Sequence, residues 1–172
     1  MPFVYLKVAE GGVYVQPTLV QTVLGSCLGA AFHAPAKGIG GFFHAFLPKN
    51  EEYPQYPGAS VFRFVDTAID HMLAAFARNG ITPGALAVSL MGCSNGMAGQ
   101  SQGVGIKNIE AAYEILEKHR LKPGFADLGG AAGRKVFFHS GTGEIKITKL
   151  ESGAKCLLGP KGRAVKAHPR KV

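Results

Sequence analysis

Cys27 closes the run Leu24-Gly25-Ser26-Cys27, and seventeen positions later His44 stands in the segment Gly41-Phe42-Phe43-His44-Ala45-Phe46-Leu47-Pro48. A thiol attacks an amide usefully only as thiolate. A free cysteine, with a pKa near ~8.5, needs a neighbouring histidine, cation or helix N-terminus to reach that form at neutral pH. Here a loop-borne thiol is paired with a strand-borne imidazole, the two groups that thiol-based amide hydrolysis requires. The Gly25-Ser26 turn lets substrate or backbone come close and lets neighbouring amides face a developing oxyanion. Each residue alone has a plainer reading. A cysteine is most often a small buried apolar group, and a histidine flanked on its face by Phe42 and Phe46 is most often a satisfied core imidazole. Together they form a dyad that geometry can test.

Other motifs carry less chemistry. Gly103-Val104-Gly105-Ile106-Lys107-Asn108 faintly resembles a phosphate-cradling loop at a helix start, but it has neither the Gly-x-Gly-x-x-Gly nor the Walker spacing, so turn and cap service is the expected role. The three cysteines, Cys27, Cys93 and Cys156, are odd in number and contain no Cys-x-x-Cys pair. That argues against a disulfide framework and against a zinc site, and neither metal nor organic cofactor is expected.

The elements that must hold the dyad read as strands interleaved with two helices. Residues 13–15, 27–32, 40–47 and 85–91 have strand-like composition, and in the third of these Phe42, His44 and Phe46 share one face because strand side chains alternate. From Ser60, apolar residues at Phe62, Val65, Ile69, Met72, Leu73 and Phe76 mark one helical face, stopped by Asn79-Gly80. A second helix is expected to open at Asn108, with Ile109, Ala112, Tyr113 and Leu116 on one face and Glu114 four residues before Lys118. Between strand 85–91 and that helix lies a loop, 92–103, holding Cys93, Asn95 and Met97. A short strand begins at Phe125, and 135–139 pairs with 144–150 as a hairpin through Ser140-Gly141-Thr142-Gly143. Two helices among six or more strands, in irregular order, predict an α+β fold: a single-domain layered α/β sandwich with a mixed sheet, not a doubly wound one.

The chain has 172 residues, 47% of them hydrophobic, enough for one domain with a sizeable core. Its apolar runs fall far short of the roughly 20 residues of a membrane helix, and the start of the chain lacks a secretory pattern, so a cytoplasmic protein without membrane insertion is expected. The net charge of +8 is concentrated at the end, where Lys155, Lys161, Arg163, Lys166, Arg170 and Lys171 meet no acid and leave +2 for the remainder. The expected organisation is a domain over 1–150 and a basic, solvated tail over 151–172. The tail lacks interleaved aromatic residues, so nucleic acid is not an expected partner.

Four segments together resemble the CheD family: Leu24-Gly25-Ser26-Cys27; residues 41–48 around His44; Gly105-Ile106-Lys107-Asn108; and Ala126-Asp127-Leu128-Gly129-Gly130-Ala131-Ala132-Gly133-Arg134-Lys135-Val136-Phe137-Phe138. They keep the family's order and spacing over most of residues 10–150. The resemblance implies an α/β sandwich like that of the cytotoxic necrotizing factor deamidase toxins. It also implies a Cys-His-Thr trio that converts chemoreceptor glutamines to glutamates, with Cys27 as nucleophile, His44 as base, receptor cytoplasmic helices as substrate, and in some members a CheC-type phosphatase as partner. The family's threonine stands six residues before the cysteine, where this chain has Gln21, and Thr22 is displaced by one. A one-residue shift on a strand turns a side chain to the opposite face, so Thr22 is expected to serve only if a bulge or local shift re-aims it. Gln21 offers its amide oxygen as the alternative third group. Residues 90–97, Leu-Met-Gly-Cys-Ser-Asn-Gly-Met, also depart from the family's Phe-Gly-Gly-like sequence. A non-catalytic docking module, in which the third catalytic residue has drifted, is the alternative reading. A thiol amidase acting on a small molecule requires a closed Cys27 pocket.

Overall fold

Two helices cover one face of a five-stranded sheet, and a four-stranded sheet covers its other face, in the computed structural model, which describes residues 1–95 and 103–151. The four-stranded sheet has the order β1 (Phe3–Tyr5), β3 (Leu19–Leu24), β8 (Arg134–His139), β9 (Ile145–Lys149). The five-stranded sheet has the order β2 (Glu10–Tyr14), β5 (Ile39–Ala45), β4 (Leu28–Ala34), β6 (Ala87–Gly92), β7 (Phe125–Leu128). Pairings are antiparallel except β1 with β3 and β6 with β7, so both sheets are mixed. The helices are α1 (Val65–Arg78) and α2 (Val104–Lys118). The α+β layered architecture with two main helices is thus as expected, with the strands divided between two sheets.

Side-chain direction in β4 explains the layering. Leu28, Ala30 and Phe32 point to the helices, where they meet Ile69, Met72 and Phe76 of α1 and Ala112 and Leu116 of α2. Cys27 and Ala31 point the other way, toward Leu24, Val136 and Phe138 of the four-stranded sheet. A strand buried on both faces needs no polar alternation, which is why 27–32 reads as an unbroken apolar run. Phe32 lies 6.2 Å from Phe43 and 6.3 Å from Phe76 between ring centroids. Full burial of each such side chain contributes roughly 1.5–3 kcal/mol.

Boundaries differ from the sequence reading in instructive places. Ser60 caps a single 3-10 turn, Val61–Arg63, by accepting from the Phe62 N–H at 3.2 Å, and α1 begins only at Val65. Helix α2 begins at Val104, a full turn before Asn108. Its Gly103-Val104-Gly105 start reads as loop because glycine is a weak helix former. Gly105 is nevertheless required in the first turn, since a Cβ there would lie 2.7 Å from the Cys93 carbonyl oxygen and 2.9 Å from that of Ser94. The expected Glu114–Lys118 pair forms at 3.4 Å, and Glu114 also meets Lys49 at 2.6 Å. The β8–β9 hairpin forms where expected. Alternation does not mark strand β3, because the central Gln21 and Thr22 of Leu-Val-Gln-Thr-Val-Leu leave neither alternate set wholly apolar, and β1 is only three residues long. Met97, Cys156 and, beyond Glu151, the basic tail lie outside the described residues. No described helix is long and apolar enough to cross a membrane.

Candidate active site

Thr22 and His44 come together between the two sheets. Strand β3 runs in unbroken register against β8 from Leu19↔His139 to Leu24↔Arg134, with Val20, Thr22 and Leu24 on its buried face and Leu19, Gln21 and Val23 half-buried on the other. Ordinary alternation, with no bulge, therefore aims Thr22 at the interior and turns Gln21 away. The Thr22 hydroxyl donates to the Leu6 carbonyl oxygen at 2.8 Å and lies 2.8 Å from His44 Nδ1. A hydroxyl has one hydrogen. With that hydrogen given to Leu6, the oxygen must accept from His44 Nδ1–H, which leaves the lone pair of the neutral imidazole on Nε2. Nε2 is buried and has no hydrogen-bond partner among the described residues.

Cys27 lies on the same face of the five-stranded sheet as His44. The β4–β5 register pairs Gly29 with His44 and ends at Leu28↔Ala45, so Cys27 falls one step past the ladder, beside Phe46 and diagonal to His44. Diagonal same-face neighbours on antiparallel strands have Cβ atoms about 7 Å apart. No hydrogen bond joins the two side chains. Cys27 is 8% exposed and His44 3%.

Three consecutive carbonyls fix the loop that carries the thiol. The Gly25 oxygen accepts from the Ser94 N–H at 2.9 Å, and the Cys27 oxygen accepts from the Cys93 N–H at 2.8 Å. Between them the Ser26 oxygen accepts from Asn108 Nδ2 at 3.1 Å. Neither the Ser26 nor the Cys27 N–H donates to the backbone of another described residue. Gly92, at φ +100°, allows this approach, because a side chain there would press on the Cys27 carbonyl as well as occupy a backbone region that L-residues avoid. Arg134, 2% exposed, braces the adjoining turn: its guanidinium meets Asp127 at 2.9 Å, the Gly129 carbonyl at 2.9 Å and the Ala132 carbonyl at 3.0 Å. The Arg134 cation holds the Asp127 carboxyl below its usual range.

Burial controls the electrostatics. It pushes the Cys27 thiol up to about 11 and pulls the His44 imidazole down to about 4, the latter partly offset by the Leu6 carbonyl and the Glu10 carboxylate. Thiol and imidazole are both neutral at rest. His44 also carries a stability signature. The folded state excludes the imidazolium, while the unfolded chain protonates near 6.5, so stability is lost as pH falls from about 6.5 toward about 4. The loss reaches about 3 kcal/mol at the acid end of that window. Urea unfolding of the wild type and of His44→Gln between pH 7 and pH 4.5 should show the steeper acid loss in the wild type; parallel curves would refute the buried-imidazole assignment.

Asn108 is the residue that sequence reasoning placed but did not recognise. It is fully buried, and Nδ2 donates to Phe46 O at 3.0 Å as well as to Ser26 O. The available signal was an asparagine on the same helical stripe as Gly105, Ala112 and Leu116, all of them buried. Among the described residues no group of three or more His, Cys, Asp or Glu side chains is placed to hold a metal ion.

Residues 46–149 match the family described as CheD chemotactic sensory transduction. A probable chemoreceptor glutamine deamidase CheD of Maridesulfovibrio salexigens is 39% identical over 157 residues, covering 86% of this chain and 92% of the relative. A probable chemoreceptor glutamine deamidase CheD 2 of Geobacter sulfurreducens is 39% identical over 87% of this chain and 91% of its own length. A third such protein, from Nitratidesulfovibrio vulgaris, is 38% identical over 85% of this chain and 76% of its own.

Proposed function

The chain belongs to the CheD family, and from that premise we propose that it hydrolyses the side-chain amides of specific glutamines in methyl-accepting chemoreceptors to glutamate and ammonia. Cys27 is the nucleophile, His44 its base, and Thr22 the residue that orients His44. The observation that carries this reading is the Leu6–Thr22–His44 chain of hydrogen bonds, which leaves an imidazole lone pair buried on the thiol's side of the sheet.

His44 Nε2 takes the Cys27 proton as Sγ attacks the carboxamide carbon of the substrate glutamine. Because both groups are neutral at rest, proton transfer accompanies attack and no standing ion pair precedes it. The carboxamide oxygen becomes an oxyanion, received by the N–H groups of Ser26 and Cys27; one such donor is typically worth about 3 to 4 kcal/mol. The imidazolium gives its proton to the departing nitrogen, and ammonia leaves a thioester on Cys27. Water, deprotonated by His44, then hydrolyses the thioester to the glutamate side chain and restores the thiol. The sequence of steps uses no cofactor.

The reading is tested by incubating the purified protein with a glutamine-containing chemoreceptor cytoplasmic fragment. Ammonia is assayed, and mass spectrometry locates amide-to-acid conversion at single glutamines. Stoichiometric release with conversion at defined positions is the expected result; binding without release from several fragments would overturn it in favour of a docking module. A cytoplasmic helical surface as the substrate supports a cytoplasmic location for the enzyme. A CheC-type phosphatase is a proposed further partner, carried by the family resemblance and checked by co-elution of the two purified proteins.

A further inference from the structure

We infer that Asn108 is a positioning residue that fixes the Ser26–Cys27 peptide so that the Cys27 N–H faces the developing oxyanion. The inference rests on the reading of Cys27 as nucleophile. The β4–β5 ladder ends at Leu28↔Ala45, and the next rung would join Cys27 to Phe46. In its place stands the Asn108 carboxamide, with Nδ2 donating to Ser26 O at 3.1 Å and to Phe46 O at 3.0 Å. One buried side chain thus ties the residue before the nucleophile to the residue two positions after the base.

The peptide bond is planar and trans, so the Ser26 carbonyl and the Cys27 N–H point in opposite directions within one rigid unit. Holding the carbonyl toward Asn108 turns the N–H away from α2. The peptides on either side are fixed independently, Gly25 O by the Ser94 N–H and Cys27 O by the Cys93 N–H. Only the central unit depends on a side chain. Gly105, three residues earlier on the same helical face, lets α2 come close enough for the carboxamide to reach it.

The test compares two reactions of the same thiol. Acylation of Cys27 by p-nitrophenyl acetate passes through a tetrahedral oxyanion: the Sγ–acyl bond forms, p-nitrophenolate leaves and the thiol proton goes to His44. Alkylation by iodoacetamide displaces iodide and forms no oxyanion. Burst acylation and alkylation rates are measured in the full chain, in Asn108→Ala and in the same-sized Asn108→Asp, with Cys27→Ala subtracted as background. The acylation-to-alkylation ratio is expected to fall about 10²-fold in both variants. Unfolding would expose the buried thiol and raise its alkylation, so both rates are taken where circular dichroism shows each variant folded; an unchanged ratio there, or one that rises, overturns the inference. The ratio does not depend on the natural substrate, and failure of the receptor assay is therefore distinguishable from failure of this role.

Discussion

Cys27→Ala should lower ammonia release from a chemoreceptor cytoplasmic fragment by about 10⁵- to 10⁶-fold, and His44→Ala by a similar factor, while binding of the fragment is retained. Residues that act as one unit lose nearly the whole rate enhancement when either is removed. Among the described residues no other thiol is placed to substitute. Cys93, joined to Cys27 through its backbone N–H, is fully buried, and burial together with the Cys27 charge pushes its thiol to about 12. The wild-type kcat/KM should be level from pH 5 to pH 8, because the imidazole gains its proton only toward about 4 and the thiol loses its own only toward about 11. Stopped assays across that range check both points. Residual turnover of Cys27→Ala above about one per cent, or an acid limb near 6.5, would sink the neutral-pair mechanism.

Thr22→Val should cost about 10²- to 10³-fold in kcat with KM nearly unchanged, whereas Gln21→Ala should stay within about twofold of wild type. The valine keeps the shape of threonine and removes the oxygen that accepts from His44 Nδ1–H. The imidazole is then free to rotate or to adopt the other tautomer, an error that costs about 10⁴-fold in the serine-protease triad, where the orienting group is a carboxylate. The Leu6 carbonyl also loses its donor, which adds about 1 to 3 kcal/mol of destabilisation. Thr22→Ser retains the hydroxyl and should restore most of kcat, which separates orientation of the ring from packing of the strand. Gln21 lies on the outer face of β3, opposite Phe137 in the ladder, and reaches neither group. If Gln21→Ala were the damaging change and Thr22→Val harmless, the third catalytic group would have to be reassigned.

Much of this molecule is legible without coordinates. The face of α1 is written in the spacing of Val65, Ile69, Met72, Leu73 and Phe76, all buried, because helical periodicity is local. The β8–β9 hairpin is legible for the same reason: its turn residues and its partners are contiguous. The residue types of the dyad, a turn-borne thiol and an imidazole on an alternating strand, also follow from local chemistry. The start of α2 does not. Gly105 weakens a helix locally, and its reason for being there is the Cys93 and Ser94 backbone on another element.

By itself, the sequence determined which groups are available for chemistry and which segments become the long helix, the hairpin and the strand that holds His44. Only the tertiary structure decided which side chain of β3 lies against His44. Whether Thr22 or Gln21 faces inward depends on which side of β3 is buried, and that is set by where β3 pairs with β8 and which sheet packs against it. A strand offers its two faces equally until another layer covers one. The same holds for Asn108, whose partners lie 82 and 62 residues away along the chain. Its helix position was readable locally, but a hydrogen bond over such separations exists only once the sheet and the helix have been brought together.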